Sequence, residues 1–372
     1  MRRVTPSPAF DSDAATTYCE NHMLVVRAIN ANDLQALYDL ATQVGTGMTT
    51  LKPDMKMMGE RLETACASFA EAIPPEQRDY MFVMEDTDTG RLAGVCAIKG
   101  AVGLTEPFYN YRIGTLVHSS RELNVFTKMD TLYLSNDLTG SSELCSLFLH
   151  PDYRKGHNGK LLSKSRFLFI AQFPHLFTQK LIAEMRGYQA EDGSSPFYEG
   201  LGRHFFKMDF HHVDDLTALG KKSFIAELMP RQPLYIAYLP QSAQDVVGKV
   251  HLSTAPARRL LEQEGMHYEG YVDIFDAGPV LQARVSELRA IRDSELAIVD
   301  RDTDATHACA PVNPEPTLVS NTTLKDFRML ITESMPVNGK IDLTTAEQKL
   351  LHCHPGEAVR TLSLNVRKNS NV

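Results

Sequence analysis

The amino-acid sequence predicts an α+β protein with a small β-rich appendage at its C-terminal side. Three observations carry that expectation. Segments of strand length and helix length follow one another without strict βαβ alternation, opening in the order strand, helix, helix, strand, strand. Residues 142–173 then read as a buried strand, a short basic glycine loop and an amphipathic helix. Beyond about residue 293 the composition changes, and brief strand-like alternation returns after 316. The chain has 372 residues, 43% of them apolar, which suits a sizeable core in two domains or in one domain with additions.

Each element has its own warrant. Residues 1–22 carry Arg2 and Arg3 but no apolar signal stretch, so they read as a disordered leader, with Met23 as the alternative start. Residues 24–29 form the first strand. A helix over 34–41 follows, with Asn32 or Asp33 as its cap and Gly45 and Gly47 past its end. Residues 54–72 read as a second helix. Residues 80–85 and 92–99 pair as a hairpin about Asp88, Thr89 and Gly90. Leu144, Leu147, Phe148 and Leu149 mark an interior strand over 143–149, stopped by His150, Pro151 and Asp152. After the loop, Leu161, Leu162, Leu168 and Phe169 share one helix face, which leaves Lys160, Lys164 and Arg166 to water. Strands are expected over 181–185 and 205–210, with a short helix over 195–201 between them. Residues 212–265 are helical or irregular, interrupted by Pro230, Pro233, Pro240 and Pro256. Strands over 271–275 and 280–285 flank Gly278 and Pro279. The resulting division is a leader over 1–22, a core over 23–295, a linker over 296–316, and a β-rich appendage and tail over 317–372.

Bulk properties exclude several classes. A net charge of −8 argues against a general nucleic-acid binder. No apolar run reaches the length of a membrane span. The six cysteines are scattered without paired spacing, as expected in a reducing cytoplasm. His352, Cys353 and His354 lack a second ligand cluster at zinc-like spacing, so no metal is expected.

The segment 151–162, PDYRKGHNGKLL, has the chemistry of an anion site. A helix start presents unpaired amides and a partial positive charge. Gly156 and Gly159 let backbone approach a phosphate, and Arg154, Lys155 and Lys160 add charge. The loop resembles the acyl-CoA pyrophosphate loop of the GNAT acyltransferases, with Arg154 and Gly159 at the first and last motif positions. The middle glycine is replaced by His157, and Gly156 stands one residue early. That resemblance implies a GNAT-like acyl-CoA N-acyltransferase fold, a mixed central sheet flanked by helices.

Longer segments resemble the bacterial arginine N-succinyltransferase family. They include FYNYRIGTLVHSSRELNVF from Phe108, LYLSNDLTGSSELCSLFLHPDYRK from Leu132, and LIAEMRGY from Leu181. SPFYEGLGRHFFKMDF from Ser195, KSFIAELMPRQPLY from Lys222, AQDVVGKVHLSTAPARRLLEQEGM from Ala243 and YVDIFDAGP from Tyr271 complete the set. The resemblance implies transfer of a succinyl group from succinyl-CoA to the α-amine of L-arginine, giving N2-succinylarginine and CoA. It implies succinyl-CoA as co-substrate with no permanently bound cofactor, no nucleic-acid or membrane partner, a cytoplasmic location and a homo-oligomer. It places the cofactor contacts at Leu147, through its backbone, and at Arg154, Gly156, Asn158 and Gly159. It makes His251 the proton donor to the leaving thiolate, with Leu252 where the family often has proline.

Other residues compete. Tyr198 is a rival acid, or an aromatic packed on Leu201 and Phe205. Glu184 can take the amine proton, or pair with Arg186. Asp273 and Asp276 suit a guanidinium fork, or the capping of a turn near Gly278. A succinyl donor calls for a cation or several amides at its carboxylate, with Arg112, Arg121 and Lys128 as candidates among which the sequence does not choose. The alternative functions are N-acyl transfer from another acyl-CoA or to ornithine, and a non-catalytic acyl-CoA sensor.

Overall fold

In the computed structural model, which describes residues 23–44, 48–218, 220–302 and 315–366, all strands join one mixed sheet. The strands are β1 (Leu24–Ala28), β2 (Asp79–Asp86), β3 (Leu92–Lys99), β4 (Asn110–Ser120), β5 (Val125–Ser135), β6 (Ser142–Leu149), β7 (Lys180–Glu184) and β8 (Leu234–Tyr235). They continue as β9 (His267–Asp273), β10 (Pro279–Arg284), β11 (Glu295–Asp302), β12 (Thr317–Ser320), β13 (Arg328–Thr332), β14 (Lys340–Leu343) and β15 (Ala358–Ser363). The α-helices are α1 (Leu34–Ala41), α2 (Met55–Phe69), α3 (Asn158–Gln172), α4 (Arg203–Phe206), α5 (Phe210–Ala218), α6 (Ser223–Leu228), α7 (Gln241–Gln244), α8 (Ala255–Gln263), α9 (Arg289–Asp293) and α10 (Thr345–Leu351). The sheet runs β14-β11-β15-β12-β13-β1-β2-β3-β6-β7-β10-β9-β4-β5-β8. Its pairs are antiparallel except β6 with β7 and β11 with β14.

The expected opening order is present, and β2, β3 and β6 are nearly fully buried, as apolar strands with neighbours on both sides must be. The entry to α1 differs in detail. Asn30 caps a preceding turn by accepting from the Asn32 amide at 3.0 Å, while Asp33 Oδ2 accepts from the Asn30 amide at 2.8 Å.

Helix α3 corrects the amphipathic expectation. Every residue from Leu161 to Ala171 is buried, including Lys164 and Arg166, which the sequence pattern left to water. The reason is tertiary: α3 lies on the central strands, and α8, α9, β13 and β15 cover its other side. Lys164 pairs there with Glu264, which also accepts from Arg289 at 2.9 Å. Phe169 anchors the helix among Phe69, Tyr80, Phe82, Phe173, Phe177 and Phe327, with ring centroids 4.9–6.0 Å away. Removing such a ring costs about 3–5 kcal/mol.

Two further expectations change. Residues 205–210 are not a strand: α4 ends at Phe206, Lys207 turns left-handed at φ 56°, and α5 begins at Phe210. Phe206 and Phe210, four apart, both pack in a cluster with Tyr198. Second, β4 and β5 form an unanticipated hairpin of 11 residues per strand. Much of it faces solvent, so no hydrophobic alternation announces it.

The β-rich C-terminal strands extend the main sheet through β13, whose Met329 pairs with Val26 of β1. Strand β11 occupies 295–302, the first part of the expected linker. The expectations for 1–22, for Gly45 and Gly47, for 303–314 and for the tail from 367 fall outside the described residues.

Candidate active site

The site begins with a fault in β6. Val95 pairs with Phe148 but Ala97 pairs with Cys145, so β6 carries one extra residue opposite β3. Ser146 absorbs it at φ 54°, a left-handed conformation that costs a non-glycine residue about 1–2 kcal/mol. Arg61 holds it there, donating through Nη1 to Ser146 Oγ at 2.9 Å and through Nε to Asp79 Oδ2 at 2.7 Å. On its other edge, β6 pairs in parallel with β7 only as far as Glu143 and Ile182. From Leu144 onward no strand pairs with that edge among the described residues. Half-buried Leu147 follows the bulge directly, in the part of β6 that has no partner on this edge.

The glycine loop stands at the end of the same strand. Gly156 has φ 54°, and a Cβ there meets nothing within 4 Å, so glycine is required by conformation rather than by crowding. The Leu161 amide donates to His157 O at 2.8 Å, which leaves the Gly159 and Lys160 amides ahead of it without helical acceptors. Arg154 donates to Leu149 O at 3.0 Å and lies 5.7 Å from the Phe148 ring centroid. Asn158 Nδ2 donates to Tyr153 O at 3.0 Å, so its side chain braces the loop.

Splay and loop open into one cleft of about 1940 Å³. Its cations include Arg154, Lys155, Lys160 and Arg259, from the loop and α8. Its carboxylates Glu184, Asp214, Asp273 and Asp276 come from β7, α5 and the β9–β10 turn. Burial pushes the Glu184 carboxyl well up, with Asp273 and Glu143 adding to it and the Asn110 hydrogen bond at 2.7 Å opposing. Glu184 is half-exposed, but to the cleft rather than to the outer surface. Burial raises Asp273 and Asp276 too, and pushes Asp214 up to about 6. Clustered carboxylates of this kind suit a cationic ligand. The two turn aspartates divide: Asp276 accepts from the Gly187 and Gly278 amides at 2.7 and 2.8 Å, committing both oxygens to backbone. Asp273 uses Oδ1 for the Phe275 and Asp276 amides and keeps Oδ2 outside those bonds.

His251 is half-buried and is not itself among the lining residues, but Ser253 and Thr254, two and three positions on, are. Its amide donates to Arg186 O at 2.9 Å, and Val250 bridges to Gly187, so the continuation of β7 fixes this segment. Nδ1 lies 2.7 Å from Ser253 Oγ and accepts from the Ser253 amide at 3.2 Å; with the hydroxyl donating as well, the proton of the neutral ring sits on Nε2. Burial, then the Arg186 charge, lowers the imidazole pKa.

Of the sequence-predicted residues, Leu147, Arg154, Gly156 and Gly159 are brought together in the lining, whereas Asn158 and His251 are not part of it. Tyr198 stands apart: it is fully buried, its hydroxyl donates to Met208 O at 3.0 Å, and burial pushes its pKa up to about 12. Glu184 bonds Asn110 instead of forming the anticipated ion pair with Arg186. Arg112, Arg121 and Lys128 belong to the β4–β5 hairpin region and do not line the cleft. Sequence reasoning missed Arg61, Asn110, Arg166 and Arg186; an arginine inside the apolar run of α3 was the one readable signal. No cluster able to hold a metal ion occurs among the described residues.

A bulged central strand, a parallel splay and a basic glycine loop opening a buried helix define a GNAT-like acyl-CoA N-acyltransferase. A family profile described as arginine N-succinyltransferase beta subunit matches residues 24–290. Proteins called arginine N-succinyltransferase from Shigella sonnei and Escherichia coli strain K12 / DH10B are each 48% identical over 345 residues, 92% of this chain and 98% of theirs. The solved arginine/ornithine succinyltransferase subunit AI from Pseudomonas aeruginosa is 33% identical, with a TM-score of 0.82, covering 93% of this chain and 100% of that one. The chain belongs to the arginine N-succinyltransferase family.

Proposed function

We propose that this chain transfers a succinyl group from succinyl-CoA to the α-amine of L-arginine, giving N2-succinylarginine and CoA. The single observation that carries this is one cleft joining an anion loop and a strand splay to a cluster of buried carboxylates. Loop amides and Arg154 receive the pyrophosphate, with Gly156 and Gly159 allowing the approach and Asn158 bracing the turn. The splay at Leu147 receives the pantetheine arm and directs a backbone N–H to the thioester oxygen. The carboxylates attract the cationic acceptor. Glu184 takes a proton from the α-amine, whose nitrogen bonds the acyl carbon as the C–S bond breaks. His251 donates toward the departing sulfur. Succinyl-CoA is a co-substrate and no cofactor stays bound.

We carry over a cytoplasmic location and self-association. In support, the family description and the Pseudomonas structure both use the word subunit. Among the described residues no helix is long and apolar enough to cross a membrane. The test is thiol release from succinyl-CoA or acetyl-CoA with L-arginine or ornithine. Release confined to succinyl-CoA with arginine is expected. Equal rates with acetyl-CoA, or none with any pair, overturn the assignment.

A further inference from the structure

We propose that Arg166 of α3 receives the distal carboxylate of the acyl donor and so selects a dicarboxylic acyl thioester over a monocarboxylic one. This deepens the reading of the cleft as a succinyl-CoA site and rests on it. Arg166 is only 2% exposed, yet it contributes to the cleft lining. Its hydrogen bonds are weak and local: Nε to Ser163 O at 3.3 Å and Nη2 to Ser163 Oγ at 3.2 Å. Among the described residues Nη1 makes no further hydrogen bond and the guanidinium forms no ion pair. A buried guanidinium without a counter-ion is strongly disfavoured unless something supplies one. Two residues earlier on the same helix, buried Lys164 has its counter-ion in Glu264. Among the described residues the other buried cations, Arg27, Arg78, Lys164 and Arg289, all have ion pairs, and Arg166 has none.

Its place fits a carboxylate at the acyl end. Gly159, Leu162 and Arg166 form one row of α3 along the cleft. Gly159 lies at the anion loop, and Leu162 abuts Gly94, where a Cβ would come within 2.7 Å of it. Ser165, next to Arg166, holds its Oγ 3.5 Å from Cys96 Sγ of β3, opposite the β6 bulge, which sets this turn of α3 at the level where a thioester carbonyl would meet that strand. A succinyl carboxylate stands two methylenes beyond that carbonyl. Three other lining cations are engaged: Arg61 with Asp79, Lys99 with Glu143 at 3.7 Å, and Lys222 with Glu106 at 3.6 Å. Arg154, Lys155 and Lys160 stand at the anion loop, Arg259 is on α8, and Arg186 bonds Gln189 beside Asp276 and Asp214 while its Nε is left unbonded.

The test is calorimetric binding of CoA, butyryl-CoA and succinyl-CoA to the wild type, Arg166→Met and Arg166→Lys. Methionine keeps much of the volume without the charge, and lysine keeps the charge should methionine disturb folding. Wild type is expected to prefer succinyl-CoA over butyryl-CoA by about 10- to 100-fold, the range of a charged hydrogen bond. Arg166→Met should erase that preference while leaving CoA affinity unchanged, and Arg166→Lys should retain part of it. A preference that survives Arg166→Met, or an equal loss for all three ligands, overturns the assignment. Because no acceptor is present, this comparison stays separate from the arginine reading, which is decided by thiol release with the acceptor added.

Discussion

Asn110 Nδ2 on β4 donates to Glu184 Oε1 on β7 at 2.7 Å, although β9 and β10 stand between those strands in the sheet. Three strand spacings on a flat sheet come to about 14 Å, beyond the reach of these side chains. The sheet must therefore curl at this end, and the curl gathers Glu184, Asn110 and Asp273 at one wall of the cleft. Asn110 also pairs in register with Asp273.

That contact sets a pH prediction. Burial raises the Glu184 carboxyl, and the Asn110 donor partly offsets the rise by favouring the charged form. Catalysis through the carboxylate gains activity as pH rises through its elevated pKa. The acid limb of kcat/KM should therefore lie above the ordinary carboxylate range. Asn110→Leu removes the stabilising donor, so the limb should move to still higher pH. Glu184→Gln should lose about 10²- to 10⁴-fold in kcat and abolish that limb. A limb unmoved by either change would remove Glu184 from the proton path.

The glycine loop offers a test in which stability and binding part ways. Gly159 is helical, and its missing Cβ would sit 4.0 Å from Leu149 Cδ2, an ordinary contact. Gly159→Ala should therefore hold or raise stability, by up to about 1 kcal/mol from helix propensity. The methyl group would nonetheless stand where a phosphate must approach, and the Kd for CoA should rise. Thermal melts and calorimetry on one preparation check both signs; a less stable variant with unchanged affinity would contradict the assignment.

Much of this was legible in the residues. The apolar run of β6 and the turn at Gly90 each depend on neighbours in sequence, and so does the loop. What escaped depends on distant partners. The polar residues of α3 look like a wet face until α8, α9 and the C-terminal strands cover them. The bulge at Ser146 has no glycine to announce it, because Arg61 from α2 holds the strained residue. Asn110 reaches Glu184 only through sheet curvature. The alternation that reveals a half-buried strand is missing from β4 and β5, which solvent surrounds for much of their length.

Tyr198 supplies a negative prediction. Its hydroxyl already donates to Met208 O, and its ring stacks near Phe206 outside the cleft. Tyr198→Phe should leave kcat within about twofold while costing about 1–2 kcal/mol, because the Met208 carbonyl loses its donor. Chemical denaturation beside steady-state assays separates the two effects. A large fall in kcat with full stability would make Tyr198 the acid.

His251 is the sharpest case, because its protonation state decides how it donates. Burial and Arg186 hold its pKa below the usual imidazole value, so the ring is uncharged at neutral pH. With Nδ1 facing the Ser253 amide, the available hydrogen is on Nε2. A neutral Nε2–H keeps donating as pH rises, so kcat should show no basic limb at or below the ordinary histidine pKa. An imidazolium acid would instead lose activity as pH rose through that lowered pKa. His251→Ala should cut kcat by about 10- to 100-fold, the scale of one hydrogen bond to a developing charge, with CoA affinity unchanged. His251→Gln, which keeps an N–H at similar reach, should recover part of the loss. Profiles of kcat against pH for the wild type and both variants decide the matter: a wild-type basic limb that vanishes in His251→Gln would restore the imidazolium, and an unchanged rate in His251→Ala would take the residue out of the chemistry.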